Sequence, residues 1–227
     1  MPTALVIAAH PDDGEFGCAG HVARLASSGW DVDFLVCTNG AKGTEDRTMT
    51  RERLVAVRRE EQREACRRLG VRGVYFLDRE DGELTYDRAF LGEIVRHIRL
   101  LKPHTVLTHD PTDIIILDSF INHPDHRATG TAALDAVYPT ARDHLNFPEH
   151  LEEGLEPHKV RELLLWNTNH PNFDVDIGEQ LDLKIHALAA HVSQFGQQED
   201  FAAFSRARWK NEDGRYLERF RRVELAF

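Results

Sequence analysis

Residues 5–9 form a short, β-branched apolar run that stops abruptly at His10, as a strand buried on both faces of a parallel sheet would. A helix is expected over 17–28, with Val22 and Leu25 on one face and Gly29 in the C-terminal stop position. The alternation then repeats. Residues 32–38 read as a second strand, 50–69 as a long helix closed by Gly70, and 74–77 as a third strand before the Asp81-Gly82 turn. Residues 90–101 are helical up to Pro103, 105–108 form a fourth strand, and 126–138 form a helix reached through an irregular loop. A further strand and helix are expected over 163–166 and 180–193. Between them, 142–159 reads as a long excursion around Pro148, Gly154 and Pro157, and 201–227 as an aromatic and charged tail packed on the body.

Strands alternating with helices imply βαβ units, hence an α/β fold: a Rossmann-like, mainly parallel sheet with helices on both faces. Ligands in such folds collect beyond the carboxyl ends of the strands. His10, Asn39-Gly40, Asp78 to Asp81 and His109-Asp110 each follow a predicted strand, so the polar residues converge on that edge. At 227 residues the chain suits one domain, 1–227, and at that size folding buries roughly 70% of the extended surface.

Charge and cysteine usage narrow the function classes. A formal charge of −10 leaves no bulk electrostatic attraction for a phosphate backbone, so nucleic acid is not an expected partner. The Arg-rich stretch 51–72 is interleaved with Glu and reads as a solvated helix face. Cys18, Cys37 and Cys66 are odd in number and widely spaced, which fits buried thiols in a reducing compartment better than disulfides or a cysteine zinc site. No run approaches the ~18 apolar residues of a membrane span, and a cytoplasmic location is expected.

Two clusters carry chemistry. In His10-Pro11-Asp12-Asp13-Gly14-Glu15, an imidazole and a carboxylate three residues apart at a strand end can reach one cation, while the adjacent carboxylate stays free to take a proton from bound water. Read alone, the segment is equally a turn that caps the next helix. The second cluster, His123-Pro124-Asp125-His126-Arg127, tips the balance, because two histidines allow both a neutral ligand and a protonatable neighbour. Solvent-exposed histidines are the bland alternative in a chain that has 13 of them. A dinucleotide site is disfavoured: it needs a Gly-rich turn after the first strand, where this chain places His-Pro-Asp-Asp.

The pair AHPDDGEFGCAGHVA and NHPDHRATG resembles the PIG-L/LmbE-like family of zinc-dependent N-acetylglucosaminyl deacetylases. Weaker likeness runs through TNGAKGT, RREEQREACRRLGV, FLDREDGEL and HVSQF. The resemblance implies a zinc site built from His10, Asp13 and His126, with one Zn²⁺ per chain and Fe²⁺ as another usable ion. It implies Asp12 as general base, and His123 as the group that supports the oxyanion and protonates the leaving amine. It also implies a small N-acetylated sugar or sugar conjugate as substrate, and a homo-oligomer, trimer or hexamer.

Three further positions carry substrate-binding expectations from the same resemblance: Arg58 on the long helix, Asp81 in the turn after the third strand, and His191 in HVSQF. Glu15 is read as structural. The mycothiol-type members place a tyrosine two residues before the acid histidine, where this chain has Ile121. The approach loop instead holds Ile114, Ile115, Ile116 and Leu117, either a buried strand extension or a hydrophobic wall or subunit contact. The same zinc chemistry on another amide, as in a thiol-conjugate amidase, and an inactive binding homologue are the competing readings.

Overall fold

The computed structural model describes residues 1–196 and 201–226. Its core is a seven-stranded sheet in the order β3-β2-β1-β4-β7-β9-β8. Strands β1 (Thr3–Ala8), β2 (Asp31–Thr38), β3 (Gly73–Arg79), β4 (Thr105–His109) and β7 (Glu162–Trp166) are parallel. Strand β9 (Leu217–Glu224) runs antiparallel between β7 and β8 (Phe173–Asp176). Buried runs such as Ala4 to Ala9 at the centre explain the continuous apolar reading of β1.

Helices α1 (Asp13–Ser27), α2 (Arg51–Leu69) and α6 (Leu181–Leu188) cover one face; α3 (Arg88–Leu101) and α4 (Pro124–Val137) cover the other. Their ends follow local chemistry. Thr50 caps α2 by accepting from Arg53 N–H (3.3 Å), and Gly70 ends it at φ 73°. Asp87 caps α3 through Phe90 N–H (2.7 Å). Two glycines set how closely helices approach the sheet. A Cβ on Gly17 would fall 2.5 Å from the Trp166 ring, and one on Gly130 would fall 2.5 Å from the His109 carbonyl. Both contacts lie beside the carboxyl edge, so they draw the starts of α1 and α4 onto the ends of β4 and β7.

Several boundaries differ from the sequence reading. Helix α1 begins at Asp13, four residues earlier, because Gly14 allows the first turn to lie flat on Phe34. Helix α4 begins at Pro124, with Pro at its first position and His123 as N-cap. The expected helix over 180–193 is two, α6 and α7 (Val192–Phe195), separated at Ala189 to His191. The tail expected to pack on the body contains α8 (Phe201–Trp209) and β9, with Phe227 outside the described residues. The excursion 142–159 contains only a 3-10 turn end and the short α5 (Glu149–Glu152). The apolar loop is a small hairpin, β5 (Ile115–Ile116) and β6 (Phe120–Ile121). It is not a buried extension, since Ile121 is 69% and Leu117 74% exposed; of its apolar side chains only Ile116 is buried.

Candidate metal centre and active site

Strands β1 and β4 are neighbours, yet the chain runs from β1 outward through β2 and β3 before returning to β4. The crevice at that reversal is where an open parallel sheet places its ligands. His10 follows β1 there and His109 ends β4. From the helical side come Asp12 and Asp13 at the start of α1 and His123, Asp125 and His126 at the start of α4. The β3 turn adds Asp81.

Asp13 joins the cluster. Its Oδ2 accepts from the His10 backbone N–H (2.7 Å) and lies 3.2 Å from His10 Nδ1 and 3.4 Å from His109 Nε2; its Oδ1 lies 3.2 Å from His126 Nε2. On its other edge, His10 Nε2 stands 3.1 Å from Asp125 Oδ2 and 3.2 Å from Asp81 Oδ1. Asp125 is held in turn by Gly82 N–H (2.7 Å) and Leu84 N–H (3.2 Å), and Asp81 by Lys42 N–H (2.9 Å). The Asp125 N–H donates to His123 Nδ1 (3.2 Å), which leaves the neutral His123 ring with its proton on Nε2.

Asp12 is strained: its backbone is left-handed at φ 93°, a region that disfavours any side chain. The surroundings enforce it. Gln62 Oε1 accepts its N–H (2.9 Å), and Gln62 Nε2 donates to Glu15 Oε1 (2.7 Å). Arg58, only 4% exposed, donates to Asp12 Oδ2 (3.2 Å), to the Pro11 carbonyl (2.8 Å) and to the Gly40 carbonyl (3.2 Å).

Proton affinities follow from these contacts. Burial, opposed by Arg58 and reinforced by Asp13, raises Asp12 to about 6. Burial also pushes Asp13 up, but His126, His10 and His109 outweigh it and hold the carboxyl well below its usual range. For His10 burial is overcome by Asp13 and the flanking carboxylates, so its pKa is raised. Burial and the neighbouring His126 push His109 down to about 4, and burial with His10 lowers His123.

The donors suit a cation. His10, His123 and His126 offer ring nitrogens within 4.8 Å of one another, as do the ligand atoms of Asp13, His109 and His126, and those of His10, Asp81 and Asp125. Flanked by two carboxylate oxygens, His10 Nε2 carries a proton, and its Nδ1 then faces Asp13 Oδ2 at 3.2 Å. A lone pair cannot face a carboxylate oxygen that closely without a proton or metal ion between them. His126 Nδ1 is buried without a partner among the described residues. A cleft of about 260 Å³ opens beside this cluster, lined by His10, Asp12, Lys42, Gly43, Arg58, Asp81, Gly82 and His123.

The structure thus brings together His10, Asp12, Asp13, Arg58, Asp81, His123 and His126. His191 is not on the cleft wall: it is fully buried behind Glu15, its Nε2 3.6 Å from Glu15 Oε2. The sequence places His109 on the ligand-bearing edge without giving it a role, and it assigns none to Asp125 or Gln62. Asp125 lies inside the second His-Pro-Asp motif, and His109 ends a strand at the ligand-bearing edge; both signals were present. Gln62 carried none, since its partners are 47 and 50 residues away.

Fold and site together define a Rossmann-like α/β protein with a His/Asp group able to hold a metal ion at the topological switch point. Residues 5–137 match the family described as PIG-L, GlcNAc-PI de-N-acetylase, and the chain belongs to it. It is 36% identical to the diacetylchitobiose deacetylase of Thermococcus kodakarensis over 84% of this chain and 69% of that protein. It is 30% identical to a 1D-myo-inositol 2-acetamido-2-deoxy-alpha-D-glucopyranoside deacetylase of Segniliparus rotundus over 90% of this chain and 80% of that one. The solved N,N'-diacetylchitobiose deacetylase of Pyrococcus horikoshii superposes with a TM-score of 0.88 at 32% identity, covering 98% of this chain and 84% of that one. A 4-carboxy-2-hydroxymuconate hydratase of Pseudomonas putida shares the fold at TM-score 0.80 and 20% identity over 100% and 98% of the chains, so the fold alone does not set the reaction. Among the described residues no helix is long and apolar enough to cross a membrane.

Proposed function

We propose that this chain is a zinc-dependent deacetylase that hydrolyses the N-acetyl amide of an N-acetylglucosamine-like sugar or conjugate. One observation carries the reading most: Asp13 is shared between His10 and His126 while Asp12, one residue away, faces the cleft with its carboxyl raised to about 6. In this reading His10, Asp13 and His126 hold one Zn²⁺ per chain, and Fe²⁺ fits the same nitrogen and oxygen donors. The ion supplies Lewis acidity and lowers the pKa of water from about 16 towards 7.

The remaining chemistry belongs to the chain. Asp12 takes a proton from the attacking water, and Arg58 holds the carboxylate in place. His123 presents Nε2–H across the cleft, where the neutral ring stabilises negative charge on the amide oxygen, and the proton that Asp12 took from water goes on to the departing amine. Water and amide become acetate and a free amine. Asp81, Lys42 and Arg58 give the cleft a wall of hydrogen-bonding groups, suited to a hydroxyl-rich substrate. The exposed apolar hairpin beside His123 favours a second reading, the same chemistry on an amide with an apolar substituent. It is also the face we assign to contact between copies in a trimer or hexamer.

The test pairs metal analysis with acetate release from a panel of N-acetyl sugars and N-acyl amino compounds. Stoichiometric zinc and turnover of acetylated sugars are expected, with His126→Ala losing most of the metal. Release only from non-sugar amides would overturn the substrate class, and a purified chain that binds no divalent metal would overturn the whole reading.

A further inference from the structure

The cleft has a buried floor and a mouth that is built differently. The side chains of His10, Asp12, Arg58 and Asp81 are between 5% and 14% exposed, whereas Lys42 is 35% exposed and Glu83, beside it, 62%. Lys42 is held at three points. Its backbone N–H donates to Asp81 Oδ2 (2.9 Å), its carbonyl accepts from Arg58 Nη1 (3.3 Å), and its Nζ donates to Glu83 Oε1 (2.8 Å). Its stem lies over the Gly82 backbone, where a Cβ would meet Lys42 Cδ at 3.6 Å and Nζ at 3.5 Å. The same loop and turn are joined again through Asn39, whose Oδ1 accepts the Asp81 N–H (3.3 Å) and whose Nδ2 donates to Glu80 Oε2 (3.2 Å). The ammonium is therefore fixed at the mouth of the cleft.

Two side chains on the cleft wall carry a fixed positive charge, Arg58 and Lys42, and both charges are already answered. Arg58 turns inward, where Asp12 Oδ2 (3.2 Å) and the Pro11 carbonyl (2.8 Å) accept from its Nη2. Lys42 is answered by Glu83, and its hydrogen bond holds the Glu83 carboxyl below the usual range. A carboxylate or phosphate entering the mouth can only accept hydrogen bonds, and beside Lys42 it meets the like charge of Glu83. A hydroxyl both donates and accepts. It can take one hydrogen from Lys42 and give its own to Glu83, and an ammonium with three hydrogens keeps donors for this while it holds its partner.

We propose that the Lys42–Glu83 pair determines specificity at the mouth of the cleft: it accepts a neutral, hydroxyl-bearing substituent on the acetylated sugar, such as a second sugar or a polyol, and rejects an anionic one. Discrimination of this kind comes from the repelling group as much as from the attracting one. The exposure of the pair limits its size. Two like charges about 6 Å apart in largely aqueous surroundings change binding roughly 3–10-fold. The inference rests on the acetylated-sugar reading of the site.

The test uses the zinc-loaded full chain and acetate release from methyl N-acetylglucosaminide, its neutral β-linked disaccharide N,N'-diacetylchitobiose, and the 1- and 6-phosphates of N-acetylglucosamine. The wild type is expected to favour the neutral disaccharide over both phosphates in kcat/KM. Glu83→Gln frees the Lys42 charge, so the ratio of phosphate to neutral kcat/KM should rise roughly 3–10-fold, and that gain should shrink as salt is raised. Lys42→Met leaves Glu83 unanswered, so the ratio should fall, and KM for the disaccharide should rise more than kcat falls. A merely structural role would move both variants in the same direction and would not depend on the charge of the substrate. Equal efficiency toward the two classes in the wild type, or an unchanged ratio in Glu83→Gln, overturns the proposal. Should Lys42→Met fail to fold, the ratio in Glu83→Gln carries the test. Turnover of neither class, with clear release from another amide, would instead overturn the acetylated-sugar reading and this inference with it.

Discussion

Two polar clusters are buried against α1, one at its first residue and the other one to two turns along, and they are built on opposite principles. In the second, Lys184 Nζ donates to Glu218 Oε1 (2.6 Å) and the Phe16 carbonyl (2.7 Å) and lies 4.1 Å from the Trp209 ring centre. Glu218 also accepts the backbone N–H groups of Gly20 (2.8 Å) and His21 (2.7 Å). Both side chains are fully buried and every charge is answered. The first cluster crowds His10, His109, His123 and His126 around Asp13, Asp81 and Asp125, strains Asp12, and leaves His126 Nδ1 and Arg58 Nε without partners among the described residues. A network that closes on itself is scaffold. One with facing lone pairs and an enforced strained residue is arranged for something that comes from outside.

The largest expected effect breaks the open cluster without emptying it. Asp12→Asn keeps the shape and the Gln62 bond to the backbone but removes the base, so kcat should fall roughly 10²–10⁴-fold while zinc content is unchanged. The pH profile carries a second mark. Asp12 works as the carboxylate, the form present above its pKa, so activity is lost as pH falls through that value. Without a metal the value is about 6, and a neighbouring cation can only draw it lower. The acid limb of kcat/KM is therefore expected at or below pH 6 and should be absent from the residual activity of Asp12→Asn. Steady-state rates between about pH 4.5 and 8 decide it; a limb centred above about 7 would remove Asp12 from the role.

The closed cluster should respond in the other currency. Lys184→Met leaves Glu218 as an uncompensated buried charge, a change that typically costs about 3–5 kcal/mol. For a chain this long that is a fall in Tm of roughly 6–20 °C. Zinc content and kcat at a temperature where the variant is folded should stay close to wild type. Thermal melts beside single-temperature kinetics separate the two, and a variant that melts normally but has lost its rate would erase the distinction between the clusters.

What the sequence disclosed follows the same division. The open cluster is written in two short local motifs, so His10, Asp12, Asp13, His123 and His126 could be named from residue type and spacing, and the five parallel strands from their apolar runs. The closed cluster was invisible. Its members stand 34 residues apart, and Glu218 interrupts the apolar alternation that would have marked β9 as a strand. Arg58 lies in a stretch whose charge reads as solvated, although its own guanidinium is buried. His109 packs beside Trp166, 57 residues away, through a strand pairing that no local pattern encodes.

His191 lies between the two kinds and gives the smallest effect. It is buried like Lys184, yet both ring nitrogens lack hydrogen-bond partners among the described residues, and Glu15 Oε2 is 3.6 Å away. Burial lowers its pKa, but Glu15 outweighs burial and the net shift is upward. Its connection to the chemistry runs through Glu15 and Gln62 to the Asp12 backbone. A group acting at that remove should alter kcat through Asp12 and leave substrate binding alone. His191→Gln is therefore expected to lower kcat only several-fold and to leave KM unchanged. Loss of a direct hydrogen bond to substrate, worth about 0.5–1.5 kcal/mol, would instead raise KM roughly 2–10-fold. The split between kcat and KM decides whether His191 ever reaches the cleft: a selective rise in KM would mean that the segment between α6 and α7 moves to bring it there.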